Sequence, residues 1–253
     1  MAINLQDLRV RLDQLTEQII SGLKDRSRFP LNKGVFIDEF SDGYSWLEYR
    51  LKKEQDMDSE FGRYEFLDQY PIGFRKDQLV KPKMKREIPQ LDVKTFPLNM
   101  GEKIMDFYIN MVMSLCIDGE DKSLYGETAR CDARNILMYQ ERIDGIGREV
   151  AQSKIDNNPG IVGLKTYEEI KDSLIFPRRE RKVIRKAVKI ARRYELIQPR
   201  WHIRTYRRLI GSSDSNQRYV SPEFIEKFFR GLIDLTVEAE IKYIKKVRGS
   251  RKF

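Results

Sequence analysis

Leu5, Leu8, Leu12, Leu15, Ile19 and Leu23 recur at steps of three and four residues, which puts them on one face and predicts an amphipathic helix over residues 4–27. Pro30 and Gly34 mark its end. A second helix is expected from Tyr44 to Phe66. Four prolines and many lysines between Pro71 and Pro97 make residues 67–98 an extended connection with little regular structure. The helical pattern resumes from Gly101 to Cys116 and, after the turn DGEDK, from Thr128 to about Ile155, where DNNPG breaks the chain. Two shorter helices follow at Thr166–Leu174 and Pro177–Leu196, the second with proline at its favoured first position. GSSDSNQ has loop composition, so residues 211–221 read as a flexible loop. Ser221-Pro222, a capping residue and a first-turn proline, then opens a last helix that runs to about Val247. There is no strong strand alternation and no short repeat. The pattern predicts an all-α protein in which residues 1–253 form one domain.

Composition agrees. Hydrophobic residues make up 40% and charged residues 34% of the 253, while Pro and Gly number only 9 and 15, which favours long, charged helices. No apolar run is long enough for a membrane span. The start, MAINLQDLRVRLDQL, carries charges throughout and lacks the apolar core of a signal peptide. Cys116 and Cys131 have no metal or redox spacing and suit a reducing compartment, so a cytoplasmic location is expected. A net charge of +9 leaves nucleic acid, an acidic membrane surface and an anionic small substrate open as partners.

Several polar residues fall on predicted apolar faces. The last helix buries a face through Phe229, Ile233, Thr236, Glu240 and Tyr243 or Ile244, so Thr236 and Glu240, four apart, project side by side from an apolar stripe. A carboxylate there must be paired or protonated unless it is partly exposed. In RRERKVIRKAVKIARRYEL the stripe through Val183, Ile184, Ala187 and Ala191 extends back onto Glu180, and the rest of the helix is strongly basic. Arg9 flanks the first stripe, Arg142 lies among Leu137, Met138, Ile143 and Ile146, and Lys154 follows Val150 by one turn. Each basic residue alone reads as a side chain reaching out from a helix edge. The only histidine, His202, sits beside Trp201 in a basic segment, which gives no support to His-based metal sites or triads. No Walker loop, dinucleotide fingerprint, helix-turn-helix or RNA-binding signature is present. Physical reading of the residues therefore ends at a basic helical protein.

A resemblance goes further. NLQDLRVRLDQLTEQIISGLKDRSRF resembles the first helix of chorismate mutases, with an LR near its start and a distal DRS. YGETARCDARNILMYQERIDGIGREVAQSKI is similar to that family's long central helix with its Arg and downstream Lys. RRERKVIRKAVKIARRYEL resembles the helix that supplies a substrate-binding Glu, and YVSPEFIEKFFRGLIDLTVEAEIKYI the final helix. The blocks follow family order from about Asn4 to Val247; residues 67–98 and 156–175 match weakly. The resemblance implies an all-helical chorismate mutase of the fungal and plant type, a cofactor-free isomerase of aromatic amino-acid biosynthesis that rearranges chorismate to prephenate. By the same resemblance Arg9 and Arg142 hold the substrate's carboxylates, Lys154 and Glu240 meet its ether oxygen, and Glu180, Thr236 and Arg179 complete substrate binding. It also implies a homodimer and a regulatory site for an aromatic amino acid, with Arg63, Gly126, Glu127 and Arg130 at the matching positions. Neither nucleic acid nor membrane is then expected as a partner, and no metal. A catalytically weak relative that binds chorismate or an amino acid, and a basic helical nucleic-acid-binding protein, are the alternative readings.

The sequence departs from the family in three places. The Arg and Lys of the central helix are normally eleven apart, whereas Arg142 and Lys154 are twelve apart, which rotates the lysine by roughly 100° in an ideal α-helix. A π-bulge or kink near Asp144 to Gly147 would absorb the extra residue. Phe176 stands where the family commonly has Asn or Asp. At the regulatory positions Glu127 replaces a small hydroxyl residue, Arg130 a small residue, and Gly62 an Arg.

Overall fold

A computed structural model describes residues 5–66, 69–84, 87, 96–198 and 219–250. Trp201, His202 and residues 211–218 lie outside this set, as do 67–68, 85–86 and 88–95 of the expected connection. The helices are α1 (Leu5–Arg26), α2 (Gly34–Ile37), α3 (Trp46–Glu60), α4 (Gly101–Leu115), α5 (Tyr125–Gln140), α6 (Ile146–Asn157), α7 (Tyr167–Leu174), α8 (Pro177–Arg193) and α9 (Pro222–Ser250). The architecture is all-α, as expected.

The differences have local causes. Asp42 and Gly43 both adopt positive φ, 57° and 78°, and turn a two-stranded hairpin of β1 (Glu39–Ser41) and β2 (Tyr44–Ser45) that the helical reading passes over. Tyr44 is thereby taken out of the second helix. Helix α3 starts at Trp46 instead, because Ser45 Oγ accepts from the Glu48 N–H while the Glu48 carboxylate accepts from the Ser45 N–H. It stops at Glu60, where Gly62 turns left-handed at φ 77°, and Arg63–Glu65 form a separate 3-10 turn. The expected extended connection is pinned: Gln55, buried on α3, accepts from the Ile72 N–H and donates to the Ile72 carbonyl. At the other expected loop, the Val220 N–H donates to Leu196 O and Ser221 caps α9, so residues 219–221 are anchored rather than loose.

Helices α5 and α6 are continuous through a π turn, Glu141–Gly145, and form one long rod. Around it pack α1, α3, α4 and the 29-residue α9, with α8 filling the space between α1 and α9. Tyr108, Tyr139 and Phe228 meet edge to face in the centre. The end of α1 is locked to the rod by a buried ion pair: Arg26 Nε donates to Asp132, and its other nitrogens donate to Pro30 O (2.9 Å) and Leu31 O (2.7 Å). Tyr108 donates to the same carboxylate. Burial raises the Asp132 pKa while Arg26 and Tyr108 oppose the rise. The arginine of the DRS motif is thus a structural tie. Helix α1 also approaches the rod too closely for a side chain at Gly22, where a Cβ would lie 2.0 Å from Asn135 Oδ1.

Asp132→Ala would strand the Arg26 guanidinium in the core. Urea unfolding is expected to show a loss of about 3–5 kcal/mol, the cost of removing one partner of a buried pair. A loss below 1 kcal/mol would mean that the lock is dispensable.

Candidate active site

The π turn decides where the charged side chains of the rod point. Its backbone bond runs from the Ile146 N–H to Glu141 O, five residues back instead of four. One residue is thereby absorbed, about 100° of rotation, so twelve residues from Arg142 to Lys154 act as eleven do in an uninterrupted helix. The observed turn begins three residues before the expected position. Gly145 fits it for lack of room, since a Cβ there would stand 3.2 Å from the Glu141 carboxylate.

Arg142 points from this turn toward α1. It is 5% exposed; its Nη1 makes one long bond, 3.5 Å, to Leu12 O, and its Nε has no partner among the described residues. Burial lowers its pKa to about 10, with Asp13 pulling weakly the other way. The charged guanidinium therefore costs the folded state on the order of 3 kcal/mol at neutral pH. A buried guanidinium with a donor to spare has the chemistry to take an anion contact.

Lys154, on α6, reaches α9 and the end of α7. Its Nζ donates to Glu240 Oε2 at 2.6 Å and to Leu174 O at 3.1 Å, and it lies 5.8 Å from the centre of the Phe176 ring. Glu240 is 3% exposed, and burial raises its pKa although Lys154 works against the rise. The apolar stripe with an embedded carboxylate is thus real, and the carboxylate is both paired and desolvated. One turn earlier Thr236 Oγ1 donates to Leu232 O at 2.7 Å, and its methyl group faces Gly147 of α6. Glu180 is half-buried on the core side of α8. Arg179 is exposed and stacks over Phe176 at 5.0 Å.

Arg9 is placed differently from the rest. It is exposed near the start of α1 and contacts Gln6 at 3.5 Å, so the structure does not bring it to the buried set. The regulatory positions are not brought together either. Gly126, Glu127 and Arg130 are exposed on the first turns of α5. Arg63 pairs with Asp58 (2.9 Å) and approaches Glu141 (3.7 Å) at the far end of α5, about 22 Å along the rod from Gly126.

Sequence reading missed the clamp around the π turn. Arg11 donates to both Glu149 oxygens, at 2.7 and 2.8 Å, and to Glu141 at 3.2 Å, fastening α1 across the bulge. Arg148 is fully buried and paired with Asp144 at 2.6 Å on the rod's other side. The alternation of acids and arginines in ERIDGIGRE was the available signal, but only the bulge fixes which of them meet.

No described helix is long and apolar enough to cross a membrane. Among the described residues no group of His, Cys, Asp and Glu could hold a metal ion.

Fold and geometry define an all-helical protein with charged side chains buried along one central rod, one of them without an ion-pair partner among the described residues. No family model matches the chain. A chorismate mutase of Emericella nidulans is 26% identical over 210 residues, covering 76% of this chain and 77% of that protein. The chloroplastic chorismate mutase 1 of Arabidopsis thaliana is 26% identical over 188 residues, 70% of this chain but only 54% of the plant protein. Among solved structures, a Candida albicans chorismate mutase in complex with L-Trp superposes with a TM-score of 0.78 at 26% identity, over 96% of this chain and 91% of that one. The chain is a relative of the all-helical chorismate mutases of fungi and plants.

The cost of Arg142 yields a test. Arg142→Gln is expected to stabilise the unliganded protein by about 1–3 kcal/mol in denaturant melts. Malate, a small dicarboxylate probe, is expected to raise the Tm of the wild type, and Arg142→Gln to abolish that rise. A variant that is destabilised and still responds to malate would show that Arg142 is structural.

Proposed function

We propose that this chain catalyses the [3,3] rearrangement of chorismate to prephenate. The observation that carries the proposal is the Lys154–Glu240 pair, desolvated on the same rod as an arginine with an unsatisfied buried nitrogen. The reaction breaks a C–O bond as a C–C bond forms and needs no nucleophile, metal or cofactor. A protein accelerates it by holding the substrate in its folded conformer and by stabilising negative charge that builds on the ether oxygen.

Arg142 supplies a desolvated guanidinium for one substrate carboxylate and recovers there the energy lost by burial. Lys154 is the electrostatic catalyst at the ether oxygen. Two of its protons are held by Glu240 and Leu174 O, which fixes its direction without a rearrangement at the moment of reaction. Glu240 is the second donor to that oxygen and acts in its protonated form, which its raised pKa favours. Thr236, Glu180 and Arg179 line the approach. Arg9 belongs to the set by resemblance; reaching the second carboxylate would require its exposed side chain to swing inward over the start of α1.

The same reading includes an aromatic amino-acid effector and a homodimer. The Candida albicans relative was solved with L-Trp, which supports the effector. The separation of Arg63 from Gly126 along one rod supports a regulatory site completed by a second copy. A cytoplasmic location completes the reading, supported by two free thiols.

The deciding measurement is loss of chorismate with appearance of prephenate. Lys154→Ala is expected to lower kcat about 10²–10³-fold, the effect of removing one such donor. Chorismate binding without turnover by the wild type would overturn the proposal. The pH dependence has a fixed sign. Because the protonated form of Glu240 is active, activity should fall as pH rises through its elevated pKa, and Glu240→Gln should flatten that fall. An unchanged profile in Glu240→Gln would remove the role given to this residue.

A further inference from the structure

Helix α8 carries Lys or Arg at every exposed position from 178 to 193. Arg179 stacks on Phe176 and Arg181 donates to Pro177 O, and the other cations divide into two sets around the helix. Lys186 and Arg193 flank α1 and pair there with Asp13 (2.6 Å) and Glu17 (2.8 Å). Arg178, Lys182, Arg185, Lys189 and Arg192, at alternating steps of four and three, form a row on the side away from the core. Among the described residues no carboxylate lies within ion-pair distance of this row.

A solvated helix face ordinarily mixes both signs. Here like charges stand one turn apart along the whole row, and Arg178 and Arg179 sit at the positive end of the helix dipole, both of which oppose the helix. We propose that this row is a docking surface for an acidic helix of a partner protein. The template is in the fold itself: Asp13 and Glu17, one turn apart on α1, already pair with the neighbouring cations of α8 in that manner.

Other occupants fit less well. A second copy of the chain would bring its own most basic face to this one. A membrane surface finds no apolar anchor among the exposed positions of α8 from 178 onward. Attraction of the proposed substrate does not account for the far end of the row, because Arg192 lies about 18 Å along the helix from Glu180, beyond the Debye length of about 8 Å at physiological ionic strength. From Arg185 to Arg192 the surface is independent of the proposed activity.

The test uses the full chain and a fluorescein-labelled, alanine-based peptide about 20 residues long, enough for partial helicity in water. Glutamates placed at alternating four- and three-residue steps give it one acidic stripe. Fluorescence anisotropy at low salt is expected to show saturable binding. The peptide should bind about tenfold more tightly than one of equal composition with its glutamates spread around the helix, a few surface pairs' worth of discrimination. Replacing Lys182, Arg185, Lys189 and Arg192 with Gln should abolish the preference while leaving chorismate turnover unchanged. Equal binding of the two peptides would reduce the row to general polyanion attraction and overturn the proposal. So would preference for a DNA duplex over the striped peptide, or binding that survives the four replacements.

Discussion

The hydrogen bond from the Ile146 N–H to Glu141 O, one residue longer in span than an α-helical bond, is the constraint on which the rest of the molecule depends. Without it α5 and α6 would still form a rod, but every side chain after Gly145 would be turned by about 100°. Lys154 would leave Glu240 and Tyr243 would lose Gln152, its partner at 2.7 Å. The bulge is held from outside by Arg11 and Glu149 and from inside by Arg148 and Asp144. A π turn within a long helix persists where its surroundings hold it, and here two sets of ion pairs do so.

Four buried or half-buried charges on or beside the rod show how differently one interior treats them. Arg26 is satisfied by a carboxylate and two carbonyls and gives α1 its register. Arg148 is paired within its own helix. Lys154 is paired to a carboxylate whose pKa burial raises while the lysine works against the rise. Arg142 has no ion pair among the described residues, and its Nε, like that of Arg148, has no hydrogen-bond partner there. In sequence all of these are basic residues on apolar faces.

Much of the helical scaffold was legible because it rests on periodicity and punctuation. The stripe of α1, proline at the start of α8 and Ser221-Pro222 at the start of α9 are local signals with local consequences. The hairpin at Asp42-Gly43 carried a local signal too, but its strands are too short to show alternation. Thr236 and Glu240 could be placed on one face from their spacing alone. The partners of Arg26, Arg11 and Arg148 could not, since 106 residues separate Arg26 from Asp132 and 138 separate Arg11 from Glu149. Only packing brings such pairs together. The exposure of Arg9 was not legible, because a position at the flank of a stripe says little about where a side chain near a helix start lies. The bulge was inferred from a spacing discrepancy, and the structure placed it three residues earlier.

The π turn also bears on how this chain is to be aligned with its relatives. If the residues after Arg142 are matched to theirs without a gap, Ser153 falls opposite the lysine they carry eleven residues on, and Lys154 is pushed one place out of register. Read that way, the chain has lost its central cation. The backbone puts the gap within Glu141–Gly145 instead, where the π turn absorbs one residue and the helical faces downstream keep their phase.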